Sequence, residues 1–492
     1  MMTSPHAAHA IYDVLIVGAG VAGTVMAITL ARQGRQVLLL ERDLREPDRI
    51  VGELLQPGGV AALHRLGLGE CLDEIDALPL RGYRLYYFGE ETTFWYPPAA
   101  RYSVWGSEKT TTVTGRDKQH EDNLHGLKHE GRGFRNGRLV SRLRGMAFAE
   151  ENVRIIEASA KQFLWSEDRQ TVVGVTSRSR TAEATQIDHH FAHLTVISDG
   201  QASTFRSMLT DKKPITRSRF YALKLNTDLG SDGLSLGVIG MGWPTGTYQI
   251  GPKETRILID VPEGTGKPSE DGMIGHIRTD VIPTLPSRLH SAADKALTED
   301  RLRSMPNSWL PPCQIRKRGV VLLGDAYNIR HPVSGSGMTV ALNDAVVLSE
   351  LLHPAHVPSL KDYTAVKRQV SEFRHRRKSY SLVLNILAQV MYLLVTADDD
   401  YWRIFQRGFV AYACSDEGRT EELAALMGGL LPSPLRLFYH LAAVAMFSIR
   451  LHMRKQYMMS PWGVPTAVIQ CLVACVKVAL VSLPYVLQEA LA

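Results

Sequence analysis

The hydrophobic pattern near the start of the chain predicts a β-α-β unit. Residues 12–17 form a largely apolar run without alternating polar positions, which is typical of a parallel strand buried on both faces. Apolar residues recur at helical spacing over 21–33, Gly34 marks the end of that helix, and residues 36–40 form a second apolar strand. Such a unit opens many nucleotide-binding domains.

Later apolar runs predict further sheets, a surface insertion and a helical end. Strands are predicted at 153–158, 194–198 and 320–323, and a long helix at 337–352. Aromatic-rich runs at 82–96 predict antiparallel strands. Another group of runs predicts a separate sheet between about Met208 and Pro306, at 220–225, 248–250 and 255–261. The polar stretch 108–130 predicts an insertion, and the pattern after 353 is helical.

Two apolar runs near the C-terminus, 435–449 and 464–487, favour membrane association. At about 1.5 Å per residue the second is long enough to cross a bilayer core of about 30 Å. Lys477 and Pro484 within it are equally compatible with a helix that lies in the membrane interface. The pattern therefore leaves both arrangements open.

Composition and charge indicate the number of domains and the cellular compartment. The 492 residues, 45% of them hydrophobic, exceed the size at which single cores stop growing, about 250–300 residues, so at least two domains are expected. The net charge of +6 is mild, and the basic clusters at 374–378 and 450–455 flank apolar stretches, which favours lipid head groups over nucleic acid. Five cysteines without metal-ligand spacing, and no signal peptide in 1–10, predict no metal site and a reducing, cytosol-facing environment.

A glycine pattern lies between the first strand and the first helix, at 18–23. Gly18 permits a tight turn, Gly20 lets backbone N–H groups approach a pyrophosphate, and Gly23 lets the helix pack closely on the strand. Glu41 ends the second strand, where a carboxylate accepts hydrogen bonds from ribose hydroxyls. Together these residues predict a dinucleotide site.

Two later segments favour FAD over NAD. Asp-Gly at 199–200 and Gly-Asp at 324–325 each follow an apolar strand far along the chain, which resembles the later fingerprints of flavoprotein hydroxylases of the glutathione-reductase structural type. Residues 335–338 then lead into a long helix, whose positive N-terminal end would stabilise negative charge on reduced flavin. No second glycine-rich nucleotide motif is found in the sequence.

Several segments resemble the squalene monooxygenase (squalene epoxidase) family. The likeness extends from about Tyr12 to about Ala445. The segments that carry it are the signature at 324–332 with 337–342, the segment 41–59, the stretch 137–144, and residues 430–434 with the helical tail.

The resemblance implies roles for individual residues. Tyr96 matches a tyrosine thought to be needed for activity, and its hydroxyl is expected to hydrogen-bond Gln56 and shape the pocket that faces the flavin. The implied FAD contacts are Val21 and Ala22 at the pyrophosphate, Glu41 and Arg42 at the adenosine ribose, Arg49 and Leu54 along the dinucleotide, Arg144 from a helix, Ala160 near the adenine, and Asp325 and Met338 at the phosphates and isoalloxazine.

The chain departs from the family pattern at two positions. Ser336 replaces the middle one of three glycines, and it would be strained if that position needs a positive backbone φ. Arg135 replaces a histidine. Both changes concern the choice of substrate more than the cofactor.

The resulting architecture is α/β (α+β), with a Rossmann-type FAD-binding domain, an antiparallel-sheet substrate domain and membrane-associated C-terminal helices. The predicted divisions are FAD-binding segments at 11–96, 131–207 and 307–353, a polar surface insertion at 97–130, a substrate domain at 208–306 and a helical region at 354–492.

The resemblance implies an epoxidase that converts squalene to (S)-2,3-oxidosqualene with O2 and FAD in sterol or triterpenoid biosynthesis. Electrons would come from a membrane-bound, NADPH-dependent diflavin reductase, and the protein would lie on the endoplasmic reticulum facing the cytosol. The alternatives are an epoxidase or hydroxylase of another terpenoid or of an aromatic compound, a reductase of prenyl chains, and a flavin-binding regulator without turnover.

Overall fold

The computed structural model describes residues 10–102, 128–179, 187–264, 270–299, 301–397 and 399–491. Most of the predicted insertion at 97–130 lies outside these residues. At its base, Pro98 and Lys128 form an isolated antiparallel bridge.

The strands of the described residues fall into two large sheets and one small one. In chain order they are β1 (Ile11–Val17), β2 (Val37–Glu41), β3 (Leu54–Leu55), β4 (Leu78–Leu80), β5 (Gly82–Tyr87), β6 (Glu90–Trp95), β7 (Gly131–Gly133), β8 (Val153–Trp165), β9 (Val172–Ser179), β10 (Ile187–Ile197), β11 (Ile215–Leu225), β12 (Leu234–Ile239), β13 (Thr245–Gly251), β14 (Glu254–Pro262), β15 (Arg303–Trp309) and β16 (Val320–Leu322).

The α-helices of the described residues are at most 13 residues long in the first two thirds of the chain, and all but one of those in the last third are longer. They are α1 (Val21–Arg32), α2 (Pro57–Arg65), α3 (Asn136–Phe148), α4 (Thr204–Leu209), α5 (Glu270–His276), α6 (His290–Glu299), α7 (Gly337–Leu351), α8 (Tyr363–Thr396), α9 (Asp400–Cys414), α10 (Glu417–Met427), α11 (Pro434–Met459) and α12 (Val464–Leu491).

The first sheet is the predicted β-α-β unit with later strands added to both sides. Strands β8, β2, β1, β10 and β16 run parallel in that order, and β9 pairs antiparallel with β8 and β10. Strand β8 continues to Trp165, well beyond the predicted 153–158, because its second half pairs with β9 rather than β2. Strands β1 and β2 are apolar since helices cover the sheet, and α1 and α7 pack together on it.

The second sheet has the order β15-β11-β14-β13-β12-β5-β6. The predicted domain boundaries place the β5–β6 hairpin in the first FAD-binding segment, 11–96. In the structure β5 pairs in parallel with β12, from Gly82 opposite Leu234 to Tyr87 opposite Ile239, so the hairpin extends the second sheet instead. The predicted boundary missed this because β5 and β12 are about 150 residues apart, and local patterning does not reveal such a pairing.

Helices α8 to α12 pack together as one group, and α9 and α10 of this group contact β6 of the second sheet. Phe94 and Tyr96 share an apolar cluster with Tyr412 of α9 and Val444 of α11. A buried ion pair between Arg377 of α8 and Asp344 of α7, 2.9 Å apart, joins this helical group to the first sheet.

Candidate active site

A cavity of about 1600 Å³ separates the carboxyl end of the first sheet from one face of the second. That position is where open α/β sheets bind their ligands. Gly23 and Tyr96 are not among its lining residues. The predicted site residues that line it are Gly18, Gly20, Val21, Ala22, Glu41, Arg42, Arg49, Leu54, Arg144, Ala160, Asp325 and Met338.

The glycine loop has the geometry that a dinucleotide requires. Gly18 adopts φ +99°, and a Cβ there would lie 2.6 Å from the Ser198 carbonyl oxygen. A Cβ on Gly23 would overlap the Gly18 carbonyl oxygen, so this glycine permits close helix packing. A Cβ on Gly20 would meet no protein atom within 4 Å, which leaves open space at the N-terminus of α1. No side chain caps that terminus, so its N–H groups are free to bind a phosphate.

Glu41 and Arg144 fix the loop from two sides. Oε2 of Glu41 accepts the Ala19 N–H at 2.8 Å, and Nε of the buried Arg144 donates to the Ala19 carbonyl at 2.9 Å. The guanidinium of Arg144 also lies 3.5 Å from Oε2 of Glu41. Burial lowers the pKa of Arg144, and the Glu41 carboxylate opposes that shift. Both residues therefore shape the loop as well as line the cavity.

The remaining predicted residues lie along the same cavity from end to end. Arg42 and Arg49 are exposed, on the segment that follows β2, while Ala160 lies on β8. Leu54 is the first residue of β3 and faces the loop between β16 and α7. In that loop, a Cβ on Gly335 would lie 3.0 Å from Cδ2 of Leu54. The structure thus brings these residues to one elongated site.

The signature loop connects β16 to α7 and begins beside the glycine loop, since a Cβ on Gly324 would lie 3.2 Å from Cβ of Ala22. Asp325 follows β16 and opens onto the cavity. Desolvation raises the pKa of its carboxyl, while the guanidinium groups of Arg330 and Arg49 oppose the shift. Met338 lies in the first turn of α7, so the positive end of that helix faces the cavity.

Backbone strain at Ser336 was expected if this position needs a positive φ, and it does not occur. Ser336 has φ −89°, an ordinary value, whereas the neighbouring Gly335 takes the left-handed conformation with φ +61°. The Ser336 hydroxyl is 2.8 Å from that of Ser334. A serine is therefore accommodated where the family has a glycine.

Arg135, the other departure from the family pattern, lies outside the cavity lining. Its guanidinium forms an ion pair with Glu254, at the start of β14. The pair raises the pKa of Arg135 and lowers that of Glu254. This residue links the N-terminus of α3 to the second sheet and is not among the residues that line the cavity.

Tyr96 lies one layer behind the cavity surface. Its hydroxyl donates to Oε1 of Gln56 at 2.5 Å, as predicted, and lies 3.1 Å from the Tyr83 hydroxyl. Nε2 of Gln56 in turn donates to the Tyr83 hydroxyl and to the Ser334 carbonyl, the latter at 2.7 Å. Burial raises the pKa of Tyr96 well above its ordinary value, so the hydroxyl remains a donor.

Two features of this site were not predicted from the sequence: the position of Tyr83 and the ion pair of Glu53. Tyr83 lines the cavity, but it lies in an aromatic-rich run in which nothing marks it out. Glu53 makes a bidentate ion pair with Arg256, both bonds 2.8 Å long and both residues buried, which ties the segment after β2 to the second sheet. An acidic residue within an otherwise apolar turn was the signal available for Glu53.

The part of the cavity between the second sheet and the helical group is apolar. It offers a mostly apolar surface, with Arg84 and Gln406 among its polar neighbours, which suits a hydrocarbon chain. Its lining includes Leu85, Phe94, Leu236, Ile239, Met391, Leu394, Val395, Phe409 and Met427.

Comparisons with known proteins agree with this site. Residues 191–466 match the model of the family described as squalene epoxidase, and residues 11–85 match that of an FAD binding domain. Squalene epoxidase erg1 of Aspergillus fumigatus is 41% identical over 97% of this chain and 94% of its own length. Squalene epoxidase ERG1 of Saccharomyces cerevisiae is 33% identical over 97% of this chain and 96% of its own length.

The chain belongs to the squalene epoxidase family. Both the predicted family and the prediction of an FAD-dependent monooxygenase are confirmed. The family match covers β11 to β15 of the second sheet, the signature loop and most of the helical group, and the FAD-binding match covers the glycine loop and Glu41.

Solved structures confirm the predicted α/β architecture. The p-nitrophenol 4-monooxygenase PnpA of Pseudomonas putida superposes with a TM-score of 0.65 at 18% identity, over 85% of this chain and 98% of that one. The flavin-dependent brominase Bmp2 gives a TM-score of 0.64 at 14% identity, over 91% of this chain and 100% of that one. At these identities the likeness concerns the fold alone.

Proposed function

We propose that the protein is a squalene monooxygenase, which inserts one atom of O2 into a terminal double bond of squalene to give 2,3-oxidosqualene. The observation that carries this proposal is the shared cavity. One end has the dinucleotide geometry of the glycine loop, and the other is a long apolar surface between the second sheet and the helical group. A family match over the apolar end adds support.

FAD would lie from the glycine loop to the signature loop. Val21 and Ala22 would contact its pyrophosphate, Glu41 and Arg42 its adenosine ribose, and Met338 its isoalloxazine. The open space at Gly20 and the uncapped start of α1 support this placement. When bound, FAD supplies the activation of O2.

The protein's own residues would orient the alkene and exclude water. Apolar side chains of the second sheet and the helical group would enclose the hydrocarbon, which keeps the reacting end dry. Tyr96 and Gln56 would fix the position of the signature loop through the Ser334 carbonyl. Holding the double bond at one place in the cavity lowers the entropic part of the barrier.

Electrons would come from a membrane-bound, NADPH-dependent diflavin reductase, and the protein would face the cytosol on the endoplasmic reticulum. The cavity residues named above would form one dinucleotide site, and the sequence contains no second glycine-rich nucleotide motif. That pattern supports an external reductant.

The C-terminal helices would lie on the membrane surface. Among the described helices, α8 and α12 are long and apolar enough to cross a bilayer; the most apolar part of α8 is 61% buried inside the protein, against 17% for α12. The predicted run at 435–449 lies in α11, which is not one of these two. Helix α12 packs on the protein through one face along its length, at Ala467, Cys471, Ala474, Tyr485 and Glu489. That pattern supports an interfacial helix over a spanning one.

The triple substitution Ile469→Ser, Leu472→Ser and Leu480→Ser is expected to weaken membrane binding at least about tenfold, because each side chain buries apolar area worth about 1.5–3 kcal/mol. These side chains are 61%, 62% and 71% exposed. Co-sedimentation with phospholipid vesicles measures the effect. Phe148→Ser, which removes an exposed apolar residue from α3 instead, is the control. Equal vesicle binding by the triple variant and the wild type would contradict the interfacial placement.

The function is tested by incubating the detergent-purified protein with FAD, a diflavin reductase, NADPH and squalene under ¹⁸O-labelled O2. The expected product is 2,3-oxidosqualene with one labelled oxygen, identified by mass spectrometry. Flavin reduction without labelled product would reject squalene and favour another terpenoid or an aromatic substrate. Bound FAD with no substrate-dependent O2 consumption would favour a regulator.

A further inference from the structure

The last turn of α12 places a carboxylate inside the protein. Glu489 is 3% exposed, whereas Leu487 and Leu491 on either side of it face outward. A buried acid at the end of an otherwise apolar helix is costly unless it has a specific partner. Its environment therefore indicates what this end of the helix does.

Glu489 is linked to the signature loop by the side chain of Asn385 of α8, and the Asn328 side chain also lies beside its carboxyl. Nδ2 of Asn385 donates to Oε2 of Glu489 and to Oδ1 of Asn328, both at 2.8 Å. Oδ1 of Asn385 accepts from Nε of Arg330 at 2.6 Å. The amide of Asn385 thus lies between the C-terminal helix and the loop that faces the cavity.

Arg330 is a buried cation whose direct partners are neutral. Besides Asn385, its guanidinium donates to the carbonyl and the side-chain oxygen of Asn328, at 3.2 and 2.7 Å, and to the Gly337 carbonyl at 3.2 Å. Arg330 and Gly337 both line the cavity, and Gly337 is the first residue of α7. Any movement of this guanidinium would be transmitted to the start of that helix.

The acceptor on Glu489, together with Oδ1 of Asn328, favours one orientation of the Asn385 amide. An amide has donors on one side and an acceptor on the other, and the Arg330 guanidinium has donors only. If Asn385 were turned over, its oxygen would face the Glu489 carboxylate and its NH2 would face the Arg330 guanidinium. Glu489 therefore favours the orientation in which Arg330 has its acceptor.

Independent contacts fix the same end of α12 against the protein. The Tyr485 ring meets Trp309 edge-on, with centroids 4.8 Å apart, and the Arg217 guanidinium lies 5.6 Å from the Tyr485 centroid. Nζ of Lys378 donates to the Ala490 carbonyl at 2.9 Å. These contacts determine where Glu489 enters the interior.

We propose that Glu489 is a positioning residue of the FAD site, which fixes the Asn385 amide and thereby Arg330 and the start of α7. Helix α12 then has two roles, since its outer face meets the membrane and its last turn completes the cofactor site. The proposal rests on the placement of FAD given under Proposed function, but not on the identity of the substrate.

The test compares Glu489→Ala with Glu489→Gln in the full-length, detergent-purified protein. Titration with FAD gives the dissociation constant, and the visible spectrum and midpoint potential of the bound flavin report on its surroundings. We expect Glu489→Ala to raise the FAD dissociation constant about tenfold, since it leaves a buried N–H of Asn385 without an acceptor, and to shift the potential. Glu489→Gln retains an acceptor oxygen and should restore both values.

A double-mutant cycle with Asn385→Leu separates positioning from simple loss of structure. If Glu489 acts through the Asn385 amide, Glu489→Ala should cause no further change in FAD affinity or potential once that amide is absent. Leu480→Ser, on the outer face of the same helix, is the control and should bind FAD as the wild type does. If Glu489→Ala does not fold, the size-matched Glu489→Leu takes its place.

Wild-type FAD affinity and potential in Glu489→Ala would overturn the proposal. It would also be overturned if Glu489→Gln were as impaired as Glu489→Ala, or if the effects of Glu489→Ala and Asn385→Leu simply added. These outcomes are distinct from a failure of the proposed function, which would appear in the wild-type protein as an absence of labelled epoxide.

Discussion

Gly23→Ala is expected to destabilise the protein by about 3 kcal/mol or more and to abolish tight FAD binding. The new Cβ would overlap both the Gly18 carbonyl oxygen and the Ser198 hydroxyl. The first obstacle is backbone, so no side-chain rotation relieves it. Helix α1 would have to move away from β1, and the loop between them is the one that lines the dinucleotide end of the cavity. Thermal unfolding and FAD titration measure the two effects.

Substitutions at two other glycines distinguish an effect on helix packing from an effect on FAD binding. A Cβ on Gly20 meets no protein atom, so Gly20→Ala should unfold at the wild-type temperature while binding FAD more weakly. Gly145 lies exposed in α3 with open space around it, and Gly145→Ala should leave FAD binding unchanged and raise stability slightly, by up to about 1 kcal/mol. A Gly23→Ala protein with wild-type stability and FAD affinity would show that the close approach of α1 to β1 is not required.

Local sequence patterns were sufficient for the dinucleotide end of the site. The glycine loop, the two flanking strands and Glu41 lie within 31 residues, and each has a function that its residue type reveals. The same holds for the end of β16, where Gly-Asp precedes a long apolar helix. Burial and backbone conformation at these places depend mainly on neighbours in sequence.

Long-range pairing explains what the sequence did not reveal. Strand β5 joins the second sheet through β12, which is far away in sequence. The ion pair between Glu53 and Arg256 and the link from Glu489 to Arg330 likewise join residues that are more than 150 positions apart. No periodicity marks such partners, because either residue alone has the appearance of an ordinary surface charge.

A family pattern can also mislead about which residue carries a constraint. Ser336 suggested strain because it stands within a run of glycines, yet the positive φ occurs at Gly335. The backbone requirement therefore applies to one position of the run, and the next accepts a side chain. Only the backbone angles distinguish the two.

Tyr96→Phe is expected to lower kcat about 100-fold, because small misplacement of a reacting group costs about that much. The change leaves Oε1 of Gln56 without its donor in an apolar cluster. Gln56 also donates to the Ser334 carbonyl. If its amide were displaced, the signature loop would lose this hydrogen bond and could shift. The burial that raises the pKa of Tyr96 means that the lost group is a neutral donor, and no new pH dependence of kcat is expected.

Tyr412→Phe is the matched control for Tyr96→Phe. Tyr412 belongs to the same apolar cluster, is equally buried, and has its hydroxyl 3.0 Å from Nδ1 of His440, away from the cavity. Both variants should lose about 1–3 kcal/mol of stability through a missing hydrogen bond. Only Tyr96→Phe should lose turnover, and its bound flavin should show an altered visible spectrum. If both variants lose stability and both keep the wild-type kcat, then the Tyr96 hydroxyl stabilises the fold but has no part in the reaction.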